Sequence, residues 1–208
     1  MRILLFNLLL FLLSTALYSA DTKTEEIIFA GGCFWCIEAP FDKTPGVISA
    51  VSGYINGETS NPTYKQVSSG GTGHIEAVKV TFDPAQVSLK RIFEIFWQSF
   101  DPTDLGGSFY DRGNQYSSGV FYLNNRQKAI AQKSIVYINS LKLFTSKIVT
   151  PVIRAKVFHP AEKYHQDYHK KKPAHYQRYR KGSGRDSFIS KIWKEKPLSL
   201  PDKIFKNK

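Results

Sequence analysis

Cysteine and methionine are nearly absent from this sequence. Its 208 residues hold two cysteines, Cys33 and Cys36, and one methionine, Met1. A bridge between thiols three residues apart closes so short a loop that it removes little chain entropy, which makes a poor structural staple. Without a second Cys/His cluster the two thiols also make a weak zinc site, and neither a metal nor a cofactor is expected. Acidic residues are scarce, 17 Asp/Glu against 29 Lys/Arg, for a formal charge of +12. The excess is concentrated at residues 163–208, which carry fourteen Lys/Arg and four Asp/Glu. No helix-turn-helix, zinc-finger or RNA-recognition signature accompanies that charge, so a nucleic-acid partner is not expected. The basic region reads as solvated surface, suited to a position near anionic envelope polymers. A phosphate-type Gly-rich loop and any internal repeat are also missing.

Long apolar runs are limited to one place. Arg2 is followed by Ile3-Leu4-Leu5-Phe6, Asn7 and the apolar residues 8–13, then by Ser14, Thr15, Ala16, Ser19 and Ala20 before Asp21. This is the charged, apolar and small-residue order of a secretory signal peptide. The apolar core is shorter than the ~20 residues of a membrane span, so no stable membrane insertion is expected once the leader is removed. Cleavage after Ala20 is the natural site, although Tyr18 is bulky for its position. Uncleaved anchoring is the alternative. No cysteine follows the run to accept a lipid. The expected organisation is a leader at residues 1–20 and one domain at residues 21–208, ending in a basic tail. The expected location is the periplasm. The mature chain would contain no methionine, which suits life among oxidants.

Periodicity places the elements. Residues 26–30 read as a buried strand and residues 33–41 as a short helix disturbed near its end by Pro40. A second strand falls at residues 47–54, and Asn56-Gly57 and Asn61-Pro62 mark a loop. In residues 74–82, Val78, Val80 and Phe82 alternate with Lys79 and Thr81 before Asp83-Pro84. Ser88 caps a helix with Leu89, Ile92, Phe93, Phe96 and Phe100 on one face. A long Gly-rich loop at residues 101–115, of a length that suits a functional loop, leads to a strand at residues 119–123. Asn124 or Asn125 caps a helix to about residue 139. Residues 147–150 and 155–158 read as strands, residues 162–171 as a helix, and the basic tail as largely irregular. The pattern predicts an α+β two-layer sandwich on a mixed β-sheet.

The thiols lie in Gly32-Cys33-Phe34-Trp35-Cys36, behind Gly31-Gly32, where the backbone is free to turn sharply out of the first strand. At a helix N-terminus, free N–H groups and the positive end of the dipole favour thiolate, so redox or nucleophilic chemistry is expected. Phe34 and Trp35 would wall the nucleophile with apolar surface. Glu76 shares its strand face with Val78, Val80 and Phe82. It is either at a strand end reaching water or held in an apolar setting that keeps its proton. Tyr64 and Tyr116 both flank loops, and composition alone does not select them among 11 tyrosines. His165 and His169 stand four apart, but Gln166-Asp167-Tyr168 between them supplies no zinc-protease Glu, and surface or hydrogen-bonding histidines are expected.

These residues resemble the A-type peptide methionine sulfoxide reductases from about Glu26 to Trp193. The resemblance rests on Gly32-Cys33-Phe34-Trp35, Gly73-His74-Ile75-Glu76, Asp111-Arg112-Gly113-Asn114-Gln115-Tyr116 and Ala161-Glu162-Lys163-Tyr164-His165-Gln166-Asp167-Tyr168, four blocks in order. It implies a ferredoxin-like core, Cys33 as nucleophile, Phe34 and Trp35 as the pocket for the sulfoxide methyl group, and Glu76, Tyr64 and Tyr116 as groups that bind the sulfoxide oxygen. Asp111 matches a substrate-binding acid. The substrates implied are free methionine sulfoxide and oxidised methionine in proteins, and the partner is thioredoxin or a thioredoxin-like reductant. Ser117 stands where many members have Arg, and the tail lacks the cysteines many use for resolution. That leaves Cys36 as the resolving thiol, matching the subgroup with Cys-x-x-Cys at the active site. The rival readings are a general thiol–disulfide oxidoreductase of the envelope, which gives Glu76 and the tyrosines no task, and a basic envelope-binding module with a merely structural cysteine pair.

Overall fold

The computed structural model describes residues 23–206, so the expected leader at residues 1–20 lies outside it. The chain runs β1 (Glu25–Gly31), α1 (Phe34–Asp42), β2 (Val47–Ile55), α2 (Tyr64–Ser68), β3 (Ile75–Phe82) and α3 (Leu89–Trp97). It continues through β4 (Gly107–Ser108), β5 (Asp111–Arg112), β6 (Ser118–Tyr122), α4 (Asn125–Ser140), β7 (Val152–Arg154) and β8 (Phe158–Pro160). Three helices close it: α5 (Tyr168–Lys171), α6 (Pro173–Gly182) and α7 (Arg185–Trp193). Six strands form one sheet in the order β7-β6-β1-β3-β2-β8, antiparallel except for the parallel pair β6–β7. The architecture is the expected α+β sandwich on a mixed sheet.

Parity divides the sheet into two faces. Ile27, Phe29, Val78, Val80, Phe82 and Val120 point into the main core, which the buried faces of α1, α3 and α4 complete. Phe29 stacks on Phe96 at 4.2 Å between ring centroids and also meets Phe41 and Phe93. The other face holds a smaller cluster around Ile28, Ala30, Ile75 and Phe121. Both expected caps are present: Ser88 accepts from the Arg91 N–H at 3.2 Å and Asn124 from the Gln127 N–H at 3.0 Å.

Four expectations are corrected. Residues 147–150 do not join the sheet. Their alternation reflects a loop packed inward, with the Ile148 N–H on Asn139 and the Val149 N–H on the Pro102 carbonyl, and β7 begins only after Pro151. The strand expected at 155–158 instead starts at Phe158. The helix expected over 162–171 is confined to Tyr168–Lys171, because Asp167 adopts a left-handed φ of 54° and breaks it. The basic tail is helical rather than irregular, with Pro173 in the first turn of α6 and Gly184 at φ 81° separating α6 from α7. Only Tyr176 in α6, and Arg185 and Trp193 in α7, are buried, too few to write an apolar stripe into so charged a sequence.

Candidate active site

Gly31 and Gly32 make the turn from β1 into α1. Gly32 has φ 87°, and a Cβ there would stand 2.3 Å from Cβ of Ser108, so only glycine fits. The turn leaves Cys33 as the cap of α1 and Cys36 in its first turn, both free thiols and both buried. Glu76, the second residue of β3, is 1% exposed and sits at this helix end, its Oε2 accepting from the Phe34 N–H at 3.0 Å. The alternative of a solvated strand end is therefore excluded. Burial pushes the Glu76 carboxyl up to about 8, against the pull of the Phe34 N–H, with Asp111 and Cys36 adding to the rise.

Burial also decides the state of Cys33. It pushes this thiol well up, and Cys36, Glu76 and Asp111 push it further, so the expectation of a resting Cys33 thiolate is corrected. Cys36 is the thiol brought down, to about 7. The hydrogen bond from Cys33 contributes most, burial opposes it, and the Arg185 and Arg180 charges assist.

The pocket walls come from four parts of the chain. Phe34 lies 6.4 Å from Tyr64 and 5.0 Å from His165 between ring centroids. Trp35 stacks on Tyr168 at 3.8 Å and donates its indole N–H to His165 Nδ1 at 3.1 Å. Thr63 and Gln66 form a capping box that starts α2, so Tyr64 is set by local sequence, and Glu162 accepts the Tyr64 N–H at 2.8 Å. The other Glu162 oxygen takes the Tyr54 hydroxyl at 2.8 Å. Asp111 lies on the β4–β5 hairpin inside the long loop and accepts the Tyr179 hydroxyl from α6. Burial raises Asp111, partly offset by Tyr179 and Arg185. Burial followed by the Glu76 charge raises Tyr64 to about 12, and raises Tyr116 as well, so both remain hydroxyl donors.

The structure thus brings Cys33, Cys36, Phe34, Trp35, Tyr64, Glu76, Asp111 and Tyr116 together in one cluster. Sequence reasoning missed Glu162, His165, Tyr179 and Arg185, which act on this cluster across 68 to 154 residues of chain. For Glu162 and His165 the signal was the block at residues 161–168. The histidine pair does not converge, since His165 serves Trp35 while His169 sits 3.1 Å from Asp42. A surface groove of 540 Å³ between α4 and residues 203–204 shares no residue with the cluster. Chemically, the cluster offers a thiol beside aromatic side chains, a second thiol hydrogen-bonded to it, and a neutral carboxyl close to two tyrosine hydroxyls.

The family model described as peptide methionine sulfoxide reductase matches residues 25–197. The chain belongs to the peptide methionine sulfoxide reductase family. The MsrA of Bacillus subtilis is 51% identical over 171 residues, 82% of this chain and 97% of that protein. The MsrA of a Listeria monocytogenes serotype 4a strain is 51% identical over 170 residues, 82% of this chain and 96% of that one. Among solved structures, reduced Mxr1 from Saccharomyces cerevisiae shares the fold with a TM-score of 0.66 at 30% identity, over 74% of this chain and 88% of that one. Methionine sulfoxide reductase A of Corynebacterium diphtheriae gives the same score and identity, over 74% and 77%.

Proposed function

We propose that this reductase acts on the S epimer of methionine sulfoxide, free or in proteins, through Cys33, with Cys36 as the resolving thiol of a Cys-x-x-Cys site. The observation that carries the reading is the Glu76 carboxyl, buried and neutral at the end of the helix that bears the nucleophile. A sulfoxide sulfur becomes a good electrophile only when its oxygen takes a hydrogen bond or proton, which Glu76, Tyr64 and Tyr116 supply. Cys33 then attacks sulfur as its own proton is lost, methionine leaves, and the oxygen remains on Cys33 as a sulfenic acid. The Cys36 thiolate displaces that oxygen as water and closes the disulfide. A thioredoxin-like dithiol supplies the two electrons that reopen it. The general oxidoreductase reading leaves the neutral carboxyl and the aromatic pocket unused.

The test is turnover of each sulfoxide epimer with dithiothreitol as reductant. Turnover confined to the S epimer is expected, and comparable rates on both would overturn the reading. We further propose that residues 1–20 direct export to the periplasm, where a thioredoxin-like partner facing the same compartment is required to keep the pair reduced. Fractionation and N-terminal sequencing check this: recovery in the cytoplasm with residues 1–20 intact would remove both the location and the need for that partner.

A further inference from the structure

Cys33 and Cys36 touch, but their surroundings differ. Cys33 keeps 5% of its surface open, whereas Cys36 keeps none. The cover over Cys36 includes the basic C-terminal helices. Tyr176 and Arg180 stand one turn apart on α6, with Arg180 Nη1 3.2 Å from the Tyr176 hydroxyl and 3.5 Å from the Cys36 carbonyl. A 400 Å³ cleft beside α6 is lined by Ala39, Pro40, Tyr176 and Arg180 among others, but not by Cys36.

Arg185, which opens α7, is 1% exposed. Its guanidinium donates to the carbonyls of Gly31 at 3.2 Å and Ser99 at 2.8 Å and to the Ser108 hydroxyl at 3.2 Å. It lies 4.8 Å over the Phe109 ring, and its Nε has no partner. Among the described residues no carboxylate forms an ion pair with it, whereas Arg180 is paired with Asp186. A cation buried without a counter-ion favours any group nearby that can turn negative. Its charge acts on Asp111, already engaged by Tyr179, and on Cys36, which sits in the first turn of the helix that follows the Gly31 carbonyl Arg185 holds.

We infer that the dithiol reductant attacks Sγ of Cys33, and that Cys36 leaves as a thiolate stabilised by Arg185. This rests on the reading of Cys33–Cys36 as the redox pair. The reductant thiolate forms a new S–S bond to Cys33, the Cys33–Cys36 bond breaks, and its electron pair goes to Cys36. The second reductant thiol then displaces Cys33, the reductant departs as a disulfide, and the protons of its two thiols end on the cysteine pair. Exchange favours attack on the accessible sulfur, and of the two only Cys33 keeps surface open. The reductant therefore enters by the mouth that admits the sulfoxide. Arg185 is a positioning residue, acting through Cys36 and the Gly31 carbonyl.

The experiment oxidises the full chain with one equivalent of methionine S-sulfoxide and mixes it with a thioredoxin whose second active-site cysteine is replaced by serine. Peptide mass analysis of the acid-quenched complex then locates the mixed disulfide. A bond to Cys33 is expected, and a bond to Cys36 would overturn the inference. If both thiols remain free after the sulfoxide is consumed, the redox-pair reading itself fails. For Arg185, alkylation of Cys36 against pH is followed in a Cys33→Ser background. Arg185→Gln should move its midpoint upward while Arg185→Lys holds it near the parent's, and in the full pair reset should slow about threefold per pKa unit gained. An unmoved midpoint in folded Arg185→Gln would remove Arg185 from the account.

Discussion

Glu76 keeps its proton because its oxygens have exchanged water for one backbone N–H and apolar neighbours. Its value of about 8 makes the chemical step level at neutral pH and falling as pH rises through 8. Glu76→Gln should lose roughly 10²–10⁴-fold in single-turnover rate, because the amide still hydrogen-bonds but cannot give up a proton, and its rate should show no fall near pH 8. An unchanged rate at neutral pH would remove the acid role. The cysteines divide more sharply. Cys33→Ser should not turn over at all. Cys36→Ser should release about one methionine per molecule and then stall as a sulfenic acid, measured by product count after rapid mixing. Normal cycling of Cys36→Ser with a dithiol protein would show that Cys36 does not resolve.

Helix α1 is held to the sheet by a second buried carboxyl, Glu38, which is 1% exposed. It accepts from the Ser52 hydroxyl on β2 and from the Asp167 N–H at 2.6 Å. Burial raises it to about 7 from an ordinary 4.5, although both hydrogen bonds pull it down. A raised carboxyl stabilises the fold fully below its unfolded value, and that contribution is lost as pH rises through about 7. Glu38→Gln, followed by urea midpoints, should match the parent near pH 4.5 and exceed it above pH 8. A variant weaker at both would show that the ionised form is the one the fold prefers. At the turn before α1, Gly32→Ala meets both a left-handed φ and the Ser108 side chain and should cost at least about 2 kcal/mol. A midpoint unchanged in urea would contradict that packing. The elements around this helix were legible because β1 is a continuous apolar run, β3 and α3 write clear two- and 3.6-residue periods, and an asparagine caps α4. The five residues of α2 are too few to show one, although Thr63 and Gln66 announce its cap. The tail helices hide their period because only three of their positions are buried, and one of these is Arg185.

Across the whole molecule, the site is assembled from both ends of the chain, which explains what the sequence could and could not disclose. Cys33, Phe34 and Trp35 are contiguous, and strand parity singles out Glu76. Tyr64, Tyr116 and Asp111 were reachable only through resemblance to a family, since nothing in composition separates them from their like. Arg185 meets the turn before the thiol helix across 154 residues and His165 meets the helix itself across 130, contacts that no local pattern encodes. The same tail gives the protein most of its +12 charge and places Arg180 beside Cys36, its Nη1 3.5 Å from the Cys36 carbonyl. Reset by an acidic dithiol protein should therefore slow as ionic strength rises from about 0.01 to 0.15 M, and an unchanged rate would show that this charge does not guide docking. The most direct test of the central claim needs no reductant. The fully reduced protein is mixed with excess methionine S-sulfoxide, and released methionine and remaining thiols are counted together with the cysteine-bearing peptides. The account predicts one methionine per molecule, both thiols lost, and a Cys33–Cys36 disulfide. Methionine formed with both thiols still free, or none formed at all, would contradict it.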